Sequence, residues 1–433
     1  MPAASIRSRF PAPLQALQSL ADACAASPPA RNGTALLAVG LRSLAPMRLL
    51  HTSDWHLGRR FHGASLLEEQ EAAIERIAEL ARAHAVDAVL IAGDLYDRAI
   101  PPTEAVDLFN RALARLSRDG TAVVAIAGNH DSHVRVSVYD PLLSAFGVTV
   151  RGDVGRATEP VLVTPRDGGA PVAIYPLPYL EPAVDGPTLA GAPLRLRHEE
   201  VTRLAIEGIH ADRRERPPHR AVLVAHTFVA GGETSESERE LTIGNVDRVS
   251  VAAFAGFDYV ALGHLHASQQ LDGPRVAYSG TPLAYSFSEE RHVKSVRIVE
   301  LAADGTPSVE VVPLGVGRRL CTLRGPIDEL CGDPRHAAAS EARVRAILTD
   351  DTLPLQAMAR LRARFPHIAE LRHEPPEVAR AGDAERHRQV RQARSPLELA
   401  TAFFTDQQGR AATAAEAGLL EAALDAAERG GER

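Results

Sequence analysis

The chain has 433 residues, 45% of them apolar and 24% charged, with a net charge of −7. That is enough length for two or three domains in globular proportions, which excludes a disordered chain or a fibre. No stretch of about 18 apolar residues occurs, so no membrane span is expected, and Cys24, Cys321 and Cys331 form no CxxC, which argues against a disulfide framework or a cysteine zinc site.

No cleavable N-terminal signal is visible, so the chain reads as cytoplasmic. Residues 1–46 are rich in Ala, Ser, Pro and Arg with weak periodicity. They read as an N-terminal extension, disordered or arising from a false start. Of the 48 basic residues only Lys294 is lysine, a bias that reads as the mark of a GC-rich genome. Residues 1–46 and 355–394 are net basic, whereas 47–354 carry a net charge of −10. An acidic body of that kind either repels nucleic acid or holds metal cations.

From Met47 strands and helices alternate. Strand-like runs start at Arg48, at Ala88 (AVLIA), Ala122 (AVVAIA), Ala221 (AVLVA) and Tyr259 (YVAL). Uninterrupted apolar runs suit strands covered on both faces. Between them one helix places Ile74, Ile77, Ala78 and Ala81 on a face. A second places Val106, Phe109, Leu113 and Leu116, with Thr103 as N-cap and Gly120 past its end. A third places Val201, Leu204, Ala205 and Ile209. The alternation predicts an α/β domain over 47–311. Past it, strand patterns at 343–348 and 367–372 flank a helix at 354–364, a small α+β unit over 312–373. A Pro- and charge-rich linker (374–394) and an Ala/Leu-rich helical tail (395–433), broken near Gly409, complete the chain.

Each strand run ends in a polar cluster. These are Asp54-Trp55-His56, then Gly93-Asp94-Leu95-Tyr96-Asp97, then Gly128-Asn129-His130-Asp131, then His226, then Gly263-His264-Leu265-His266. Ligands of open α/β sheets gather beyond the carboxyl ends of strands. Singly these motifs say little; His226 alone would read as a buried structural histidine, and Trp55 reads as packing. Together and in order they bring carboxylates, one amide and several imidazoles to one place. Seven donors exceed one tetrahedral zinc. They suit two ions about 3.5–4 Å apart sharing a carboxylate. Mixed O and N donors favour Mn²⁺, Fe²⁺ or Zn²⁺ over Mg²⁺. Such a pair activates water near neutral pH and clamps a phosphoryl oxygen.

This order of motifs, over residues 47–290, resembles the calcineurin-like metallophosphoesterase superfamily. The resemblance implies a two-sheet sandwich flanked by helices. It implies one ion on Asp54, His56, Asp94 and His266, and a second on Asp94, Asn129, His226 and His264, with Asp94 bridging. His130 matches the non-ligand histidine near the leaving oxygen, and Asp97 the carboxylate that orients it in some members.

Within the superfamily, MRLLHTSDWHLGRRF at 47–61 is similar to the SbcD branch. So are Ala230-Gly231-Gly232 with Ser235, Ser237, Glu238 and Arg239, and Tyr278-Ser279-Gly280-Thr281-Pro282 with Ser286 to Glu289. The α+β unit then resembles that branch's capping domain. The resemblance implies an exonuclease on duplex ends and an endonuclease on single strands and hairpins. It also implies two Mn²⁺ ions, and a heterotetramer with two copies of an SbcC-like ATPase carrying a coiled coil. The chain has no GxxxxGK[ST], so ATP hydrolysis would be the partner's. Two readings compete: a phosphoesterase for nucleotides or small diesters, and a non-catalytic scaffold. The chain past 312 argues against the first, and the complete set of seven donors against the second.

Overall fold

The computed structural model describes residues 45–193, 195–217, 219–238, 248–376, 395–408 and 410–430. The expected extension, apart from Ala45 and Pro46, lies outside the described residues, as do Arg239 and most of the expected linker.

The five runs are strands of two six-stranded sheets. In the first, Met47–Thr52 is central. Ala88–Ile91, Ala122–Ile126 and Val148–Arg151 follow in parallel on one side. On the other side Ser295–Leu301 pairs antiparallel with Met47–Thr52, and Pro307–Pro313 pairs antiparallel with Ser295–Leu301. In the second, Val172–Leu177, Ala221–His226, Tyr259–Gly263 and Val276–Tyr278 run parallel, with Val161–Val163 and Gln269–Asp272 as antiparallel edges.

Alternation along each strand divides the apolar residues between two faces. Leu49, Leu90 and Val124 of the first sheet meet Ile174, Val222, Val224 and Ala261 of the second in a fully buried inner layer. Leu50, Val89 and Val123 face outward onto helices Leu67–Ala83 and Thr103–Leu116. Leu223 and Val260 face helix His198–Glu215. Each aliphatic side chain so buried contributes roughly 1.5–3 kcal/mol. The inner layer therefore locks the sheets face to face. It sets the carboxyl ends of Met47–Thr52, Ala88–Ile91 and Ala122–Ile126 beside those of Ala221–His226 and Tyr259–Gly263.

Two expectations need correction. Thr103 is the first helical residue, not the N-cap. Pro102 takes that place with extended backbone, and no side chain caps the helix. The border expected at 311 falls inside a strand, because Pro307–Pro313 pairs along its length with Ser295–Leu301. The first sheet ends only at Pro313.

Beyond it, Leu320–Gly325, Arg343–Leu348 and Ile368–His373 form a parallel three-stranded sheet with helix Ala357–Arg364. Its own core includes Leu330, Val344, Leu361 and Phe365, with Cys321 and Cys331 packed half-buried against it as free thiols. This unit is fastened to the sandwich by charge. Both oxygens of Glu69 accept from the Arg343 guanidinium, at 2.8 and 2.6 Å. Both oxygens of Glu290 accept from Thr322, at 2.9 and 2.6 Å. Burial pushes the Glu69 carboxyl up, but Arg343 and Arg318 outweigh it and hold it below its ordinary value of 4.5. A depressed carboxyl stabilises above the unfolded value and loses that contribution as pH falls through the folded one. Glu69→Ala should therefore cost on the order of 2 kcal/mol at neutral pH, leaving buried Arg343 without its acceptor. The difference from wild type should shrink in acid below pH 4.5. Denaturant melts of both proteins across that range check it.

The tail is two helices, Pro396–Gln408 and Ala414–Gly430, that contact each other. None of its described side chains is buried. Among the described residues no helix is long and apolar enough to cross a membrane.

Candidate metal centre

All five polar clusters meet at the shared strand ends. Asp54, His56, Asp94, His226, His264 and His266 are each at most 5% exposed, and Asn129 is half-buried. The chain bends sharply to bring them there. Asp54, His56 and Asp94 have φ of 54°, 45° and 49°, and His264 has 108°. Such strain in non-glycine residues persists where surrounding structure over-determines it, commonly at functional sites. The glycines of the motifs answer to the same crowding. A Cβ on Gly128 would stand 2.1 Å from Asp94 Oδ1, and one on Gly93 2.3 Å from His226 Nδ1.

His56 Nε2 lies 3.2 Å from His266 Nε2 and 3.6 Å from Asp94 Oδ2. His226 Nε2 lies 2.9 Å from Asn129 Oδ1 and 3.6 Å from Asp94 Oδ1. His264 Nδ1 lies 3.2 Å from the same amide oxygen. Candidate ligand atoms cluster as Asp54, His56 and His266, as Asp54, Asp94 and His226, and as His56, Asp97 and His130.

The chemistry of the donors fits a cation. His226 Nδ1 must donate to the Ala92 carbonyl at 2.8 Å. Burial holds its imidazole neutral, below the ordinary histidine range. Its Nε2 is then a bare lone pair facing two oxygens, acceptor against acceptor, which favours a cation among them. Burial first, and His266 second, keep His56 neutral as well. Burial with neighbouring His226 takes His264 down to about 3. Burial and Asp94 push the Asp54 carboxyl up. Asp94 itself is held low, because His226 and His130 outweigh its burial. The Nδ2 of Asn129 is buried without a partner.

His130 stands beside this set. Its main-chain N–H donates to Asp94 Oδ1 at 2.9 Å, and its Nδ1–H to the Asp97 main-chain carbonyl at 2.8 Å. This corrects the expectation that the Asp97 carboxylate orients His130. That carboxylate is drawn instead toward Arg59 Nη1 at 3.6 Å and His56 Nδ1 at 3.9 Å. Trp55 is packing, as expected, fully buried with its edge to Phe109.

Sequence reasoning missed the residues that support the set. Asp131, singled out only as a motif member, accepts main-chain N–H bonds from Leu95, Tyr96 and Gly128, each at 2.9 Å. It thereby clamps two of the strand-end loops together. Burial and Asp94 push its carboxyl up to about 7, and the three donors work against them. Gln70 donates to the His56 carbonyl at 2.7 Å and accepts from Gly58 N–H at 3.0 Å. His266 Nδ1 lies 2.5 Å from Ser237 Oγ, which is bonded to Glu289. No local pattern announces these contacts: Ser237 and Glu289 stand out only as members of the SbcD-like motifs, and Lys294 only as the lone lysine.

Residues 47–268 match the family model described as calcineurin-like phosphoesterase. The chain is 36% identical to the SbcD component of the nuclease SbcCD from Bacillus subtilis (strain 168), over 63% of this chain and 71% of that protein. It is 32% identical to the component of the same name from Escherichia coli (strain K12), over 65% and 72%. The chain belongs to the SbcD family of calcineurin-like phosphoesterases. Its two-sheet sandwich is that superfamily's fold, and SbcD-family membership makes it a nuclease-subunit homologue and a hydrolase of phosphoesters. Residues 316–408 match a second model, described as type 5 capsule protein repressor C-terminal domain. Among solved structures, a dimetal phosphatase from Danio rerio aligns over 62% of this chain and 99% of its own, at 12% identity and a TM-score of 0.35.

Proposed function

We propose that the chain is the two-metal nuclease subunit of an SbcCD-like DNA repair complex. It would work on DNA as an endonuclease on single strands and hairpins, and as an exonuclease on duplex ends where a partner ATPase is engaged. The observation that carries this reading is the single cluster at the ends of both sheets, where the bare His226 Nε2 faces Asn129 and Asp94. One ion, with Mn²⁺ expected, would rest on Asp54, His56, Asp94 and His266. The other would rest on Asp94, Asn129, His226 and His264. When bound, two such ions supply Lewis-acid activation of water and neutralise charge at the phosphoryl group.

The chain's own residues do the rest. The bond from His130 Nδ1 to the Asp97 carbonyl leaves Nε2 as the nitrogen available for proton transfer at the leaving oxygen. His130→Ala should keep both ions, because the bond from residue 130 to Asp94 is main-chain. Its turnover should fall by about 10²–10⁴, the usual worth of a positioned acid or base. Metal loss on elemental analysis would make His130 a ligand instead.

The three-stranded unit would be the capping domain over DNA. Of its arginines, Arg360 and Arg372 are engaged by Asp328 and Glu370, so phosphate contact would fall to others. The SbcC-like ATPase would dock on the tail. A second copy of the chain fits the exposed apolar run Val134, Val138, Tyr139, Leu142 and Phe146, which are 60–82% exposed. The work would be cytoplasmic.

One assay tests the function. Purified protein with Mn²⁺ is offered a hairpin DNA and a small chromogenic diester, and then the hairpin after co-purification with the SbcC-like ATPase of the same genome. Hairpin cleavage that needs the metal is expected. Turnover of the small diester alone would sink the nuclease reading, and no turnover of either would leave a scaffold.

A further inference from the structure

All basic residues of the chain but one are arginine. On a surface the two long cations serve much alike, so a compositional drift toward arginine passes unopposed there. Lys294 is not on the surface: its side chain is 11% exposed. Its Nζ lies 2.5 Å from Glu289 Oε2, 2.7 Å from Thr281 Oγ1 and 3.0 Å from the His266 carbonyl. An ammonium has three N–H donors on one atom, and here each has an acceptor. A guanidinium spreads five donors over a wider planar fork. From the same position it cannot converge on three acceptors grouped around a point.

What the ammonium holds leads to the metal centre in two steps. Glu289 is fully buried, and a buried carboxylate without a partner is strongly destabilising. Lys294 occupies one of its oxygens, and the other accepts the Ser237 hydroxyl. With that hydrogen committed, Ser237 Oγ has only lone pairs to offer His266 Nδ1, 2.5 Å away. The ring hydrogen of His266 therefore sits on Nδ1. Its Nε2 is left bare on the side where His56 and Asp54 stand. Lys294 also grips the His266 carbonyl, while Glu238 accepts the His266 main-chain N–H at 2.8 Å. Ring and backbone of one residue are thus fixed together.

We propose that Lys294 is a positioning residue of the metal centre. Through Glu289 and Ser237 it sets the orientation and tautomer of His266, and this task requires the compact ammonium. The proposal rests on reading His266 as a ligand of one ion. An arginine at 294 would leave acceptors unmet and crowd the turn that carries Glu289.

The test uses the full chain, stripped of metal and titrated with Mn²⁺ by calorimetry and with Co²⁺ by its visible ligand-field absorption. The variants are Lys294→Arg, Lys294→Met, Ser237→Ala and His266→Ala. Loss of a partner behind a metal-bound histidine typically weakens metal binding about 10–100-fold. Both Lys294 variants should weaken one of two ions by that factor, alter its Co²⁺ spectrum and leave the other ion unchanged. Ser237→Ala keeps the Lys294–Glu289 pair and buries no new charge. It should give the same single-ion loss, and it decides the matter if the Lys294 variants do not fold. Wild-type affinity and spectrum in Lys294→Arg, or in Ser237→Ala, would overturn the proposal. His266→Ala separates the two levels. If it keeps both ions at wild-type affinity, the ligand reading falls. If it loses one ion while the Lys294 and Ser237 variants lose none, only the positioning role falls.

Discussion

Asp94→Ala is expected to lose both metal ions and to abolish cleavage of every substrate. Asp94 lies between the two halves of the centre. Its Oδ1 is 3.6 Å from His226 Nε2, and its Oδ2 is 3.6 Å from His56 Nε2. It is also the carboxylate held low, against its burial, by the histidines around it, whereas burial and Asp94 push Asp54 up. Without it the cluster offers neutral imidazoles, one amide and a single reluctant carboxylate for two dications. Neither water nor a neighbour replaces that charge. Ala at this site also inherits a φ of 49°, which an alanine adopts at some cost. Asp94→Asn is therefore the paired variant. Asparagine tolerates left-handed backbone and keeps the acceptor for the His130 N–H, so it isolates the loss of charge. Both variants should bind no metal on elemental analysis after dialysis. Loss of one ion only would move the bridge to Asp54, whose oxygens reach the candidate groups on both sides.

Much of this centre was legible because it is local. A strand that ends in a polar cluster is a pattern of five to eight residues, and five such patterns in order imply convergence once an α/β sheet is granted. The elements that escaped are those whose burial is arranged from far away. Val172–Leu177 contains Pro176, which argues against a strand interior, yet it pairs in parallel with Ala221–His226. Ser295–Leu301 carries Arg297, a charge where a core residue would be expected. It is 2% exposed, with its guanidinium donating to the Tyr278 carbonyl and Ser268 Oγ. No periodicity rule anticipates a buried arginine held from a neighbouring sheet, with Nε and one Nη bonded and the other Nη without a partner. The same holds for Ser237, Glu289 and Lys294. They join His266 only through a loop and a turn brought together by the fold. The orientation of His130 turned on a carbonyl rather than a carboxylate, a distinction residue types do not carry.

Deleting residues 395–433 should leave a folded, metal-loaded nuclease that still cuts single strands and hairpins but no longer co-purifies with the SbcC-like ATPase. Both halves of that expectation rest on where the elements lie. The seven candidate ligands, His130 and Lys294 all lie before Val296, and the small unit ends its last strand at His373, so the deletion removes none of their elements. The two tail helices meet each other, yet Phe403 and Leu419 remain 63% and 71% exposed. A pair of short helices with apolar side chains left outward gains little by standing alone. A helical partner surface, such as the base of a coiled coil, would cover those side chains. If duplex ends are opened only with the partner's ATP, the truncated chain should lose that activity while its hairpin cleavage stays near wild type. Pull-down with the ATPase and cleavage of both substrates, with and without ATP, measure the two halves separately. Binding of the ATPase with unchanged affinity would place the docking surface elsewhere. Loss of hairpin cleavage together with metal would mean that the tail folds back and supports the nuclease body.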